Sequence, residues 1–217
     1  MRPKVLNLAP TVDADADGVA ESQTPAAGGA QSLTLDGTLV SGGVATFDIP
    51  RRVAITSAAD ETARTFTVTG TDRFGNSISE AITGLDTAAA SSLLDFATVT
   101  AITTDDDTTG AITAGTTGVA SSAWFVPDRF ADEFNIGIGC NVSGTANYDI
   151  EVTYDNLLAA TFSPSDLVTV FNHGDLVNET TDQHGSQTVP VAGIRVTVNS
   201  FTASTTPSVA ATLVPKG

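Results

Sequence analysis

Few residues in this chain have a type and a spacing suited to metal binding or catalysis. The first group of them is acidic. Asp13, Asp15 and Asp17 alternate and are followed by Gly18. A calcium-binding loop begins in this way, with oxygen ligands at alternate positions before a glycine. The twelfth position of such a loop carries a bidentate glutamate, and here it is Thr24. The sequence therefore favours a solvated acidic segment, with an adventitiously bound cation as the alternative.

A second group combines histidines with carboxylates. His173 and His184 flank Asp175, Glu179 and Asp182, and imidazole and carboxylate are both zinc ligands. The spacing of the two histidines matches no recognised ligand pattern, and the segment has the composition of a loop. We therefore expect no metal site here, and we expect His173 to hydrogen-bond to the backbone of a turn.

Nucleophilic chemistry has a single cysteine as its candidate. Cys140 follows Ile136 and Ile138 at alternate positions, which predicts a buried and inert thiol on the apolar side of a strand. The chain has neither a Gly-x-Ser-x-Gly motif nor a glycine-rich phosphate loop followed by lysine. We expect that the protein is not an enzyme and that it has no catalytic residue, cofactor or metal ion.

Arg195 is a lone cation within an apolar alternation. Ile194, Val196 and Val198 share the strand with it, and alternation predicts that Arg195 points to the opposite face. Two interpretations remain open from the sequence. Arg195 pairs with one of the many acids on the surface of its own chain, or it forms an ion pair with another subunit.

Charge restricts the partners that the surface can bind. The formal net charge is −16 at pH 7 and the pI is near 4.1. Such a surface repels nucleic acid and anionic membranes, so we expect neither as a partner. One cysteine cannot form an intramolecular disulfide, and no apolar run reaches the length of a membrane-spanning helix.

The elements that must position these residues are short strands. Aromatic residues make up 6% of the chain and charged residues 16%, while threonine, valine, glycine and aspartate are frequent. Threonine and valine favour strands, and glycine and aspartate favour turns. No long stretch repeats apolar residues with the helical period of 3.6. The fold class that we predict is all-β.

The clearest of these elements is a β-hairpin at residues 65–84. Phe66 and Val68 alternate with threonines, and a second alternation follows at 77–83. The connection at 70–76 carries Arg73 and Phe74 at its tip. The tip has two interpretations, a contact to another subunit and a solvated turn, and the pattern favours the turn.

Two further hairpins are predicted in the second half of the chain. The first joins alternating strands within 134–154, and the second joins alternating strands within 194–213. With the strands between residues 31 and 122, they indicate two β-sandwich or jelly-roll-like domains. We place the N-terminal domain at 31–122 and the C-terminal domain at 123–217.

The first thirty residues differ in composition from the rest. They are rich in alanine, glycine, proline and aspartate, which predicts an extended N-terminal arm at 1–30. The arm docks on a neighbouring subunit or is tucked against its own chain, and the sequence leaves both open. The arm residues that we expect to contact a partner are Arg2, Lys4, Val5, Leu6 and Leu8; elsewhere the candidates are Arg73, Phe74 and Arg195.

Two stretches resemble virion proteins of tailed bacteriophages. The first begins with FTVTGTDRFGN at 66–76 and EAITG at 80–84, followed by strands at 96–103 and 110–118. The second comprises 134–155, Phe171-Asn-His173, Pro190-Val191 and Ile194-Arg195-Val196. The resemblance covers about residues 31–214 and consists of a similar succession of strands and turns. The first thirty residues lie outside it.

The resemblance implies a non-enzymatic structural protein of the virion. It implies a capsid decoration (cement) protein on the outer capsid surface, made in the bacterial cytoplasm and stabilising capsomer contacts. Its partners would be the major capsid protein and copies of itself, with a trimer as the expected oligomer. The alternatives are a neck- or tail-associated component and a carbohydrate- or receptor-binding adhesin module.

Overall fold

The computed structural model describes residues 2–128 and 134–216. The fold is all-β, with antiparallel sheets and a short 3-10 turn at Ala203–Thr205. No α-helix occurs in the described ranges. Within those ranges, no helix is long and apolar enough to span a membrane. The prediction of an all-β protein is confirmed.

The strands are short and are numbered in chain order. They are β1 (Lys4–Leu8), β2 (Ala20–Gln23), β3 (Gln31–Ser32), β4 (Val40–Ser41), β5 (Val44–Arg51), β6 (Val53–Ser57), β7 (Thr65–Thr71), β8 (Ser77–Thr83), β9 (Ala89–Ser91), β10 (Phe96–Thr104), β11 (Ile112–Thr116), β12 (Ala120–Ser121), β13 (Ile136–Ser143), β14 (Thr145–Thr153), β15 (Phe171–Asn172), β16 (Gln183–Gln187), β17 (Gly193–Thr202) and β18 (Ser208–Pro215).

Residues 14–117 form one compact unit. One of its sheets has the strand order β4-β5-β10-β7-β8, with β3 also paired to β10, and the other has the order β2-β11-β6-β9. Buried apolar side chains of both sheets form one continuous cluster, which includes Ile55, Phe66, Phe96 and Ile112. The two sheets therefore share one core, filled from the inward positions of each alternating strand.

The hairpin predicted at 65–84 is present in this unit. β7 and β8 pair in unbroken register from Thr65↔Thr83 to Thr71↔Ser77. Buried and more exposed residues alternate along both strands, as the sequence pattern indicated. On β8 the inward residue Glu80 is also buried, and its carboxylate accepts hydrogen bonds from the backbone N–H groups of Leu93 and Leu94.

The other compact unit combines residues up to 13 with residues from 118 onward. Its sheets have the orders β1-β18-β13-β16 and β12-β17-β14-β15. The inward residues of these strands are almost fully buried: Leu6, Leu8, Ile136, Ile138, Tyr148, Ile150, Val196, Val198, Val209 and Leu213. For β13, β14, β17 and β18, alternation in the sequence predicted that these residues are inward, whereas β1 was expected only as part of an extended arm and its two buried leucines as contacts to a partner.

The predictions of a second and a third hairpin were wrong in their pairing. β13 and β14 follow each other in the chain, yet β13 pairs with β16 and β18 while β14 pairs with β15 and β17. β17 and β18 likewise lie in different sheets. The chain crosses from one sheet to the other at Gly144 and crosses back after the 3-10 turn. Alternation specifies which face of a strand is buried, and a hairpin and a crossing both satisfy it.

The two crossings contact each other. Thr145 donates its backbone N–H to Thr205 Oγ1 at 2.8 Å, and the Oγ atoms of Ser143 and Ser208 lie 3.0 Å apart. Gly144 has φ +66°, and a Cβ there would lie 2.5 Å from the carbonyl oxygen of Thr205. A glycine is required at this point because the backbone is left-handed and the other crossing occupies the space of a side chain.

The segment expected to be an extended arm contributes a strand to each unit. β1 pairs with β18 from Lys4↔Leu213 to Leu8↔Val209, and β2 pairs with β11. Asp13 accepts a hydrogen bond from the backbone N–H of Ala203 at 2.7 Å. The segment therefore lies against its own chain, which is one of the two alternatives that the sequence left open. The compact units meet in sequence at 13/14 and 117/118.

Candidate interaction surfaces

The tip of the β7–β8 hairpin is held in one conformation by Asp72. Its Oδ1 accepts the backbone N–H groups of Phe74 at 2.8 Å and Asn76 at 2.9 Å, and its Oδ2 accepts Asn76 Nδ2 at 2.9 Å. Gly75 takes a left-handed φ of +81° and donates its N–H to the Asp72 carbonyl. An aspartate that binds the following backbone in this way stabilises a tight turn. The loop is therefore ordered by its own residues.

Phe74 stands out from this ordered turn. Its side chain is 73% exposed, the largest exposed fraction among the large apolar residues of the described chain. Arg73 beside it is partly buried. The sequence placed both residues at the tip, and the structure does so too. A preordered loop that presents an aromatic ring loses little conformational entropy when a partner covers the ring, so the tip is a candidate contact.

The N-terminal strand exposes some of its predicted contact residues and buries others. Arg2, Lys4 and Val5 are exposed, and Val5 is 54% exposed. Leu6 and Leu8 are 5% and 2% exposed and pack inside their own unit. Since β1 pairs with β18, alternation turns these two leucines to the core. They are not available to a partner in this conformation.

Arg195 is paired within its own chain. It lies directly opposite Glu151 across β17 and β14, and its Nε atom is 2.6 Å from Glu151 Oε2. The side chains of the two residues are 11% and 9% exposed. Thr197 Oγ1 donates to the same carboxylate at 2.7 Å, and the Trp124 ring centroid is 4.5 Å from Arg195 Cζ. The guanidinium is therefore compensated by a carboxylate and an aromatic face of the same unit.

Arg195 pairs within its own chain, which is one of the two alternatives that the sequence left open. The sequence indicated that such a pair would lie on the surface, but the pair is nearly buried. Sequence reasoning missed Glu151, although an acid in the middle of an apolar strand is itself a signal. Such a residue is compatible with a buried strand only when a cation or several donors face it.

A surface that sequence reasoning did not identify lies between β14 and β15. We call residues 154–171 the 154–171 loop. Five of its large apolar side chains are exposed: Tyr154 by 54%, Leu158 by 68%, Phe162 by 36%, Leu167 by 54% and Phe171 by 49%. The rings of Tyr154 and Phe171 contact each other edge to face, with centroids 5.5 Å apart. The available signal was a run of leucine, valine and phenylalanine inside a segment with loop composition.

The 154–171 loop is held closed by two aspartates. Asp155 Oδ2 accepts the backbone N–H of Thr169 at 2.6 Å, which ties the start of the loop to its end. Asp166 Oδ2 accepts the backbone N–H of Ser163 at 2.7 Å. Backbone turns add further hydrogen bonds, including Phe162 N–H to the Ala159 carbonyl at 3.0 Å. The apolar side chains are thus carried by a hydrogen-bonded loop.

Asp13 and Asp15, two of the three alternating acids before Gly18, each accept a hydrogen bond. Asp15 Oδ2 accepts the Thr38 hydroxyl at 2.6 Å, and this hydrogen bond lowers the pKa of the Asp15 carboxyl. Asp13 accepts the backbone N–H of Ala203. In the described part of the chain, no group of three or more histidine, cysteine, aspartate or glutamate side chains is arranged to hold a metal ion.

The two histidines occupy different environments. His173 is 4% exposed, its Nδ1 accepts the backbone N–H of Asp175 at 3.2 Å, and its Nε2 lies 3.2 Å from the Ser186 carbonyl. The neutral tautomer with the proton on Nε2 satisfies both contacts. His184 is exposed on β16. The structure thus places His173 in the backbone-bonding role that the sequence predicted.

The single thiol is buried. Cys140 is 2% exposed, and burial raises the pKa of its thiol. Tyr148, which is also buried, donates its hydroxyl to the Thr181 carbonyl at 3.1 Å, and burial raises its pKa. A thiol that is both inaccessible and protonated is a poor nucleophile.

The candidate surfaces are therefore the hairpin tip, the exposed residues of β1 and the 154–171 loop. No protein-family model matches this chain, and no curated protein matches its sequence.

Proposed function

We propose that this protein is a non-enzymatic structural component of a tailed-bacteriophage virion, a decoration (cement) protein on the outer capsid surface. In this proposal it binds the major capsid protein, associates with copies of itself and stabilises capsomer contacts. Each compact unit acts as a β-sandwich or jelly-roll-like module. The virion assignment depends on the resemblance of residues 31–214 to phage virion proteins.

The observation that carries the proposed binding role is the ordered hairpin tip. Three donors converge on Asp72, and they hold a loop from which Phe74 extends with 73% of its side chain exposed. Large aromatic residues in ordered positions are frequent anchors of protein interfaces. An anchor of this kind supports a binding protein, and the resemblance supplies the particle to which it binds.

The charge of the chain agrees with an outward position on the particle. A net charge of −16 keeps a protein soluble before assembly and disfavours contact with packaged nucleic acid.

A second feature that supports the proposal is the edge position of β1, which is the terminal strand of its sheet. The exposed residues Val5, Lys4 and Arg2 lie on or next to this strand. A terminal strand can accept a strand of a neighbour through main-chain hydrogen bonds.

Binding to capsids that lack this protein tests the proposal. We expect the Phe74→Ser variant to occupy fewer capsid sites than the unaltered protein in co-sedimentation, because the partner loses the aromatic anchor. Leu93→Ser is the matched control, since Leu93 is an exposed apolar residue of the same unit, 55% exposed. Equal occupancy by all three proteins would remove the tip from the interface, and absence of any binding would refute the decoration role.

Deletion of residues 1–30 is not a suitable test. It would remove Leu6 and Leu8 from one core and Val19 and Ala20 from the other, and all four residues are buried. Loss of binding would then report unfolding. Val5→Ser with Lys4→Ser changes only exposed side chains of β1 and leaves both cores intact.

Two further measurements distinguish decoration from the alternatives, which are a neck or tail component and an adhesin. A high copy number per virion on a quantitative gel would support decoration, and the low copy number of a ring would support a neck or tail component. An adhesin requires exposed aromatic rings. Tyr154 and Phe171 are exposed, whereas Tyr148 is buried and Trp124 lies against Arg195. Binding on a glycan array would support the adhesin.

A further inference from the structure

We infer that β8 is the strand through which two copies of this chain contact each other, paired antiparallel across a two-fold axis. The inference rests on the proposed function, because it locates the contact between copies that the proposal includes. It commits to one occupant of this sheet edge, which is β8 of a second copy. The contact gives a dimer, in place of the trimer that the resemblance implied.

β8 ends its sheet and turns half of its backbone groups away from β7. Just beyond β8, Gly84 donates its N–H to the Arg64 carbonyl at 2.9 Å; at the other end, the Asn76 carbonyl accepts the N–H of Asp72 at 2.9 Å. Residues that bond to the neighbouring strand alternate with residues that do not. The even-numbered residues of β8 therefore bond to β7. The outward N–H and C=O groups, beside which the described chain places no strand, belong to Ser77, Ser79, Ala81 and Thr83.

β8 is also the least protected of the strands that end a sheet. It has seven residues, pairs with β7 without a register shift, and none of its exposed residues is charged. The other terminal strands of the described chain have two to five residues. Of the two longest, β1 lies between Pro3 and Pro10, and β16 contains Gly185. Short length, proline and charged side chains limit strand pairing at an edge.

The side chains of β8 favour a second copy over a strand of different sequence. Main-chain hydrogen bonds give affinity for any strand, and recognition of a particular foreign strand needs pockets for its side chains. The exposed side chains of β8 are two serines, an alanine and a threonine, which are too small to form such pockets. A two-fold axis provides specificity in another way, because every favourable residue pair on one side of the axis is repeated on the other.

One register pairs β8 with itself without placing like charges opposite each other. With Ala81 on the axis, Ser79 lies opposite the partner's Thr83, and small hydroxyl residues in such positions stabilise a strand pair. Glu80 lies opposite the partner's Ile82, and its carboxylate already accepts backbone N–H groups of its own chain. The outward residues then exchange about six main-chain hydrogen bonds. A contact of this size gives a weak, concentration-dependent dimer.

Oxidation of the full-length variant Ala81→Cys by copper phenanthroline in air tests the inference. Residues directly opposite each other in a hydrogen-bonded pair have Cα atoms about 5.5 Å apart, a distance that a disulfide spans. We expect a disulfide-linked dimer of twice the 22.1 kDa chain mass on a non-reducing gel. The parent should not crosslink, because Cys140 is 2% exposed.

Ser77→Cys is the matched control, because position 77 is also exposed on β8. In the proposed register the two copies of residue 77 lie about 26 Å apart, which is too far for a disulfide. We expect this variant to crosslink about tenfold more slowly or not at all. Equal crosslinking of the two variants, or none in Ala81→Cys, would overturn the inference.

Hydrogen exchange on the unaltered protein gives a second readout that needs no variant. The amides of Ala81 and Thr83 point outward, so they should exchange more slowly as the protein concentration rises. The amides of Ile78 and Ile82 bond to β7 and should change less. Exchange at Ala81 and Thr83 that is independent of concentration would contradict the contact.

The two proposals fail in different assays. Contact between copies is measured on the protein alone, and decoration is measured on capsids. If Ala81→Cys crosslinks selectively but the parent does not bind capsids, the contact between copies stands and the decoration role falls. If Ala81→Cys does not crosslink and the amides of Ala81 and Thr83 are protected only on capsids, β8 accepts a capsid strand and the inference falls.

Discussion

Arg195 and Glu151 lie directly opposite each other on neighbouring strands, and the Arg195 Nε atom is 2.6 Å from Glu151 Oε2 in a nearly buried environment. Removal of either charge would leave the other nearly buried charge without its ion-pair partner, whereas removal of both would not. We expect Arg195→Met and Glu151→Gln each to lower the free energy of unfolding by about 3–5 kcal/mol. We expect the double variant to lose less than the sum of the single losses. Chemical denaturation of the four proteins measures this coupling.

Arg2→Met is the control for that cycle, since Arg2 is an exposed cation of the same unit. It should change the free energy of unfolding by no more than about 0.5 kcal/mol. Additive losses in the double variant would show that Arg195 and Glu151 do not stabilise each other.

Gly144 provides a test of the crossing between sheets. Gly144→Ala should destabilise the protein by about 1 kcal/mol or more, because the residue has φ +66° and its Cβ would lie 2.5 Å from the Thr205 carbonyl oxygen. Gly139→Ala is the matched control on the preceding strand, where a Cβ would meet nothing within 4 Å. Thermal unfolding of both variants measures the difference. Equal melting temperatures would contradict the crossing geometry.

Glu80 is expected to anchor the segment that follows β9. Its carboxylate accepts the backbone N–H of Leu94 at 2.8 Å and that of Leu93 at 2.8 and 3.0 Å. A hydrogen bond to a charged acceptor contributes about 1.5–3 kcal/mol. We therefore expect Glu80→Ala to lower the free energy of unfolding by about 1.5 kcal/mol or more. The amides of Leu93 and Leu94 should also exchange faster with deuterium. Unchanged exchange at these two amides would show that Glu80 does not anchor the segment.

The lowered pKa of Asp15 implies that the free energy of unfolding falls as the pH becomes acidic. The Thr38 hydroxyl lowers the pKa of Asp15 in the folded protein, so the unfolded state binds this proton more readily. The stabilisation by the ionised carboxylate is complete above the unfolded pKa of about 3.9 and is lost as pH falls through the folded pKa. The destabilisation by Asp15→Asn should therefore be present at pH 7 and shrink below about pH 4.

Urea midpoints of the parent and of Asp15→Asn, measured from neutral to acidic pH, provide this comparison. Thr38→Val should produce the same pH-dependent loss, because it removes the donor from Asp15 Oδ2. A difference between parent and Asp15→Asn that stays constant down to about pH 3 would contradict the assignment of the lowered pKa.

Cys140 should resist thiol reagents while the protein is folded. Its side chain is 2% exposed and burial raises the pKa of the thiol, so both access and ionisation oppose reaction. We expect Ellman's reagent to label the protein only in denaturant. Ser77→Cys, with an exposed position on β8, is the control and should react at once in the folded protein. Rapid labelling of folded parent would show that β13 opens readily.

Much of the local structure follows from residue alternation alone. Phe66, Val68, Ile78 and Ile82 alternate with polar residues, and both strands of the β7–β8 hairpin have these residues buried. The turn between them also follows from local chemistry, because Asp72 and Gly75 are turn residues that act within a few positions of each other. In β13, Ile136, Ile138 and Cys140 are inward as their spacing indicated.

Long-range pairing could not be predicted in the same way. Alternation specified that β13, β14, β17 and β18 each bury one face, but only the folded chain shows that neighbours in sequence lie in different sheets. A strand with a buried face can be covered by several others, and the choice depends on how all apolar faces are covered together. The position of β1 beside β18 was decided in the same way.

The candidate surfaces also differ in whether local sequence or long-range contacts determine them. The sequence by itself determined an all-β, acidic chain and a hairpin turn with Phe74 at its tip, because composition, period-two patterns and turn residues act locally. Only the tertiary structure decided that Arg195 binds Glu151, that Leu6 and Leu8 are buried, and that the 154–171 loop leaves its apolar side chains in solvent. Burial and ion pairing join residues that are far apart in the chain, and the one-dimensional pattern does not specify which of them meet.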